Sequence, residues 1–148
     1  MTPQEKRAWY GLAIGIAWTL CMVAVFVVRG VTAFDEDAGM RSIVYALFAA
    51  GILAYVAMMY ITGWRMSRNG VIQDERDRVI LRRVPVYQTF AVLFTLAIWM
   101  VALTETYQEE GQMPIVFPHL IFFSAIVVNI VFASAGTLMA YWSARRHG

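Results

Sequence analysis

The chain has 148 residues, 60% of them hydrophobic and 15% charged, with a net charge of +2. Soluble domains average ~45–50% apolar and ~25% charged, so the composition excludes a soluble globular domain and a disordered segment, and the small net charge gives no argument for nucleic acid. The single cysteine, Cys21, excludes a disulfide-stapled module and a four-helix thiol oxidase that needs paired cysteines.

The apolar residues fall into four uncharged runs, 8–28, 43–64, 84–104 and 115–142. Each is long enough for a helix to cross a ~30 Å hydrocarbon core. They are continuous and not alternating, and exceed the ~10-residue strands of an outer-membrane barrel. The expected fold is all-α: one transmembrane domain of four helices, arranged as two antiparallel hairpins.

The first span follows Lys6-Arg7. A secretory leader would have an apolar core of ~7–15 residues; this run is longer and carries Trp9, Tyr10 and Trp18, so it is expected to stay as a span despite Val31-Thr32-Ala33 behind it. Gly11 and Gly15 form a GxxxG, whose missing side chains let a second helix approach, in the same bundle or in another copy. The first loop holds Asp35, Glu36 and Asp37. The second span carries a seam of small residues, Ala46, Ala50 and Ala54, and closes on Trp64-Arg65.

The loop 65–83 is the most charged part of the chain. Asn69-Gly70 is a stop signal, after which acids precede arginines. Asp74 stands four residues before Arg78, the orientation that favours a helix pair. Residues 73–83 are therefore expected as a short helix leading into the third span, with Pro85 kinking or breaking the junction. Its plain role is a solvated lead-in anchored by Arg82 and Arg83. Its sharper role is a docking surface for a cytoplasmic protein, with Asp74, Glu75, Arg76, Asp77 and Arg78 as the candidates. The interleaved arginines neutralise the carboxylates that a hard cation would need, which argues against a metal site.

Asp74-Glu75-Arg76-Asp77-Arg78-Val79-Ile80 resembles the D-E-R-D/E-x-x-I signature between helices 2 and 3 of a family of uncharacterised small four-span bacterial and archaeal membrane proteins, a domain of unknown function. Glu5-Lys6-Arg7-Ala8-Trp9 is similar to the segment that precedes helix 1 in those chains. The resemblance implies a four-helix inner-membrane protein and no reaction. In that family the signature usually runs without interruption into helix 3, and Pro85 departs from the pattern.

The third loop carries Glu105, Glu109 and Glu110 and no basic residue. The last span follows Pro114, and its regular part is expected to begin near Pro118, since proline suits a first turn. His119 lies at its outer end. A cation or proton site with the neighbouring glutamates is one reading; a solvated acidic loop beside an interfacial histidine is the plainer one. Asn129 sits near mid-span. An amide in hydrocarbon must find a partner, so it is expected to face another helix, as packing glue or, with Ser124, Ser134 and Thr137, along a path in a small oligomeric transporter or channel.

Ten of the twelve lysines and arginines lie at the termini and in loop 65–83. By the positive-inside rule these segments are cytoplasmic. The expectation is a multi-pass protein of the prokaryotic cytoplasmic (inner) membrane whose partners are the lipid bilayer and either a second copy or a cytoplasmic protein. No carboxylate lies within a run, only His119 could ligate a membrane haem, and the phosphate-loop, zinc-hydrolase and serine-elbow motifs are missing. We therefore expect no cofactor, no metal and no catalysis, and an accessory or regulatory subunit that works through helix packing and its charged loop.

Overall fold

The computed structural model describes residues 1–68, 75–108 and 113–146, with only the backbone for 66, 67 and 75–83. These form α1 (Pro3–Arg29), α2 (Ala33–Glu36), α3 (Ala38–Arg68), α4 (Glu75–Tyr107) and α5 (Val116–Arg146), with no strand among the described residues. All but α2 are long and apolar enough to cross a membrane. The protein is an all-α, four-helix membrane protein. One hairpin is α1 with α3, the other is α4 with α5, and the two join through α1 against α5.

Helix ends overrun the apolar runs because charge marks where a span leaves the membrane, not where a helix stops. α1 begins at Pro3, capped by Thr2. The Thr2 hydroxyl accepts from the Glu5 amide at 3.2 Å, and the Thr2 amide donates to Glu5 Oε2 at 2.7 Å. This reciprocal box satisfies two amides that the first turn leaves free. α1 ends at Arg29 and is capped by Gly30, whose φ of 80° suits a residue without a Cβ, and whose amide donates to Phe26 O at 2.9 Å.

Of the kink or break expected at Pro85, the break does not occur: α4 runs through it as one helix. A proline forfeits one helical hydrogen bond, and membrane helices tolerate that loss. Residue 73, where the separate helix was expected to begin, lies outside the described residues. α5 begins at Val116 and keeps Pro118 in its first turn.

The core lies among α1, α3 and α5, around Trp18, Met22, Val44, Phe123, Val127 and Ile130. Trp18 is its centre. Its ring meets Phe123 edge-on at 5.2 Å and Phe48 at 5.7 Å, and its indole occupies the place where Gly51 has no side chain. Helix α2 was not expected. It carries Phe34, fully buried, into the end of the bundle opposite the chain termini, where it meets Tyr45 and His119.

Gly11 and Gly15 face α5 of the same chain. A Cβ at Gly11 would lie 2.5 Å from Ser134 Oγ, and one at Gly15 would lie 2.9 Å from Val131 Cγ2. The GxxxG thus serves packing within the bundle. Ala46, Ala50 and Ala54 lie on the outward side of α3 and are exposed.

Helix α4 is seated differently. Among the described residues it packs on α5 and makes no substantial contact with α3, and Val84 is its one buried apolar residue. The separation of α3 from α4 leaves a cleft between them, floored by α1 and α5.

Candidate functional site: a polar cleft at the terminal end

Both termini lie at one end of the bundle, as four spans require. Glu5, in the first turn of α1, is 3% exposed, and Arg145, near the end of α5, pairs with its Oε1. Arginines also lie over tryptophans at this end: Arg146 is 3.8 Å from the Trp142 ring centre and Arg68 is 5.4 Å from that of Trp64, both within cation–π reach.

The cleft between α3 and α4 opens near this end, with a volume of about 290 Å³. α1 supplies Gln4 and Arg7, α3 supplies Tyr55 and Met59, α4 supplies Pro85 and Gln88, and α5 supplies Ser134 and Thr137. α1 turns Lys6 outward and Arg7 inward: Lys6 is exposed and Arg7 is half-buried. The Arg7 guanidinium donates to the thioether of Met59, with Nη2 at 2.8 Å and Nε at 3.2 Å from Sδ. Sulfur is a weak acceptor, and Arg7 has no carboxylate partner among the described residues. Gln4 is 6% exposed, and its side chain has no hydrogen bond among the described residues. Among the described residues, the cleft therefore holds a cation with no carboxylate beside it.

Asn129 lies just beyond the cleft. Gln88 Nε2 donates to its Oδ1 at 2.9 Å and to its backbone O at 3.1 Å. Bonds of this kind contribute ~0.6–2 kcal/mol in membrane bundles. A second polar clip joins the same helices, from Trp99 Nε1 to Ser124 Oγ at 2.8 Å. Ser124 and Asn129 thus turn to different residues of α4, while Ser134 faces Gly11 of α1. Ser134 and Thr137 border the cleft, and Ser124 and Asn129 are not among its lining residues.

His119 lies at the opposite end. Its Nδ1 is 3.0 Å from Ile115 O and its Nε2 is 3.3 Å from the Tyr45 hydroxyl. The carbonyl can only accept, so Nδ1 carries the hydrogen and Nε2 accepts from Tyr45. The ring stacks obliquely on Phe34 at 5.1 Å. It borders an apolar cavity of about 380 Å³ whose walls include Phe26, Phe48 and Phe123. No group of three His, Cys, Asp or Glu residues that could hold a metal occurs among the described residues, and Glu109 and Glu110 lie outside them.

Of the docking candidates, Asp74 lies outside the described residues. Glu75, Arg76, Asp77 and Arg78 form the first turn of α4, with their side chains likewise outside.

The reading from sequence missed Gln4, Glu5, Arg7 and Gln88 as site residues. The signal for Glu5 was Thr2-Pro3-Gln4-Glu5, a capping box with proline at the first helical position. Gln88 is the one amide in the run 84–104, a cue as strong as Asn129. No family model, no curated protein and no solved structure matches the chain.

Proposed function

We propose that the chain is an accessory subunit of a membrane assembly, acting by packing and not by turnover, with α4 as the face it offers to a partner. The observation that carries this reading is the one-sided seating of α4. Polar clips at Gln88 and Trp99 hold it to α5, while Phe90, Leu93 and Met100 stand 67%, 57% and 66% exposed along it. Positions 90, 93 and 100 share one side of a helix.

Lipid can also cover such a face, and substitution separates the two. Changing Phe90, Leu93 and Met100 together to alanine touches no core residue, so it is expected to leave the stability of the isolated chain nearly unchanged. Native purification of the parent chain is expected to recover a stoichiometric complex with another membrane protein, and the triple variant is expected to lose it. Recovery of the parent as a lone chain, or flux or turnover by the purified chain in liposomes, overturns the reading.

In this proposal the termini and loop 65–83 face the cytoplasm of a prokaryotic cell, and the charges at 74–78 dock a soluble partner. The support is the ten-to-two distribution of basic residues. A reporter that works only in the cytoplasm should be active when fused at residue 70 and at the C-terminus. Activity of a periplasmic reporter at residue 70 would reverse the orientation.

A further inference from the structure

We propose that the cleft between α3 and α4 binds the head group of an anionic phospholipid, with Arg7 as the residue that holds its phosphate. This site is independent of whatever covers the outer face of α4.

The first argument is charge. An arginine near a membrane surface ordinarily extends its guanidinium to water. Arg7 instead turns into the cleft against Met59 Sδ, while its neighbour Lys6 takes the exposed position. The nearby carboxylate on α1, Glu5, is engaged by Arg145 and borders a separate hollow with Trp9 and Trp142. The guanidinium thus faces a cleft with no acid among the described residues of its walls. It presents several N–H donors to a single soft sulfur.

The second argument is the company Arg7 keeps. Gln4 is buried as a residue, its amide borders the cleft with no hydrogen bond among the described residues, and Tyr55 lines the same space. Guanidinium, amide and phenol together make a donor set for an oxyanion. Arginine is suited to phosphate because its planar fork can give two parallel hydrogen bonds.

The third argument is access. The cleft lies where α3 and α4 part, so it communicates sideways with the bilayer, and Met58, Met59 and Val84 give it apolar walls. Arg7 stands one turn inside the start of α1, at the level of a head group. A volume of about 290 Å³ is at the lower end of the ~300–1,000 Å³ usual for ligand pockets. It admits a head group and the start of its chains, leaving the tails in the bilayer.

The test titrates the purified full-length chain in mild detergent with phosphatidylglycerol and, separately, with phosphatidylcholine of the same acyl chains, scoring retained lipid by native mass spectrometry. Phosphatidylglycerol is expected to be retained about tenfold more strongly, and Arg7→Gln to abolish that preference, as loss of a charge-assisted hydrogen bond implies. Lys6→Gln, which removes an exposed charge one position away, is expected to leave the preference intact. Equal loss in Lys6→Gln and Arg7→Gln means general surface attraction and overturns the site. Millimolar inorganic phosphate should not displace the lipid; displacement would mean a site for free phosphate and would refute the lipid assignment. Should Arg7→Gln fail to fold, Ala133→Leu decides: it narrows the cleft from α5 with the charge left in place, and undiminished retention in it overturns the proposal.

Discussion

Arg145→Ala is expected to destabilise the bundle by ~1–3 kcal/mol, although the arginine itself lies largely at the surface. The cost arises at Glu5. Its side chain is 3% exposed, with Oε2 accepting from the Thr2 amide and Oε1 paired to Arg145, whose side chain is 61% exposed. Removing the arginine leaves a buried carboxylate with only the cap to satisfy it. For a fully buried pair such a loss costs ~3–5 kcal/mol; water around the guanidinium screens this one and lowers the figure. Glu5→Ala should cost a similar amount by another route, since it removes the pair together with half of the capping box. Glu5→Gln separates the two contributions, because glutamine keeps an acceptor for the Thr2 amide and drops the charge. It is expected to fall between the parent chain and Glu5→Ala. The double variant Glu5→Ala/Arg145→Ala should lose less than the sum of the single losses, because neither leaves the other's charge stranded. Unfolding in detergent micelles, followed by circular dichroism, measures all four. Additive losses would show that the pair contributes nothing and that the cap alone fastens the start of α1.

Spans were legible in the sequence because membrane burial is a one-dimensional property: an uncharged stretch of sufficient length has few alternatives. The order in which the spans pack was not. α3, α4 and α5 are apolar around their whole circumference, so no stripe distinguishes a face that meets protein from one that meets lipid. The open cleft and the loose seating of α4 follow from that order and were hidden with it. Gly11 and Gly15 stood out by their spacing, but spacing alone could not say whether α5 or a second copy would fill the groove. Asn129 stood out as an amide in hydrocarbon, while its partner Gln88 is 41 positions away and lies beside Pro85, where the helix was expected to break. Lys6-Arg7 read only as the charged pair that precedes the first span. Only the rotation of α1 shows that the Arg7 side chain turns inward.

Gly51→Ala is expected to cost more than its single methyl suggests. Helices in a membrane gain little from hiding apolar surface, so close packing carries much of their association. Here the packing centres on Trp18, which is 5% exposed and wedged between Phe48 and Phe123. A Cβ at Gly51 would collide with the body of its indole, and the neighbouring rings leave the tryptophan no free direction. Overpacking of this kind costs ~1–3 kcal/mol, and Gly51→Val should exceed Gly51→Ala. Gly63, on the same helix, is the control: no described residue lies within 4 Å of the Cβ it lacks. Gly63→Ala is expected to be neutral or to stabilise by up to ~1 kcal/mol through helix propensity. The decisive variant is Trp18→Phe in the Gly51→Ala background. A smaller ring vacates the space the new methyl needs. It also removes the indole N–H, which is buried with no hydrogen-bond partner among the described residues and so costs stability in the parent. The pair should therefore be coupled by ~0.5–3 kcal/mol, with the second change recovering stability lost to the first. If the two losses simply add, the indole is not what occupies the gap at Gly51, and the centre of the bundle is packed by other contacts.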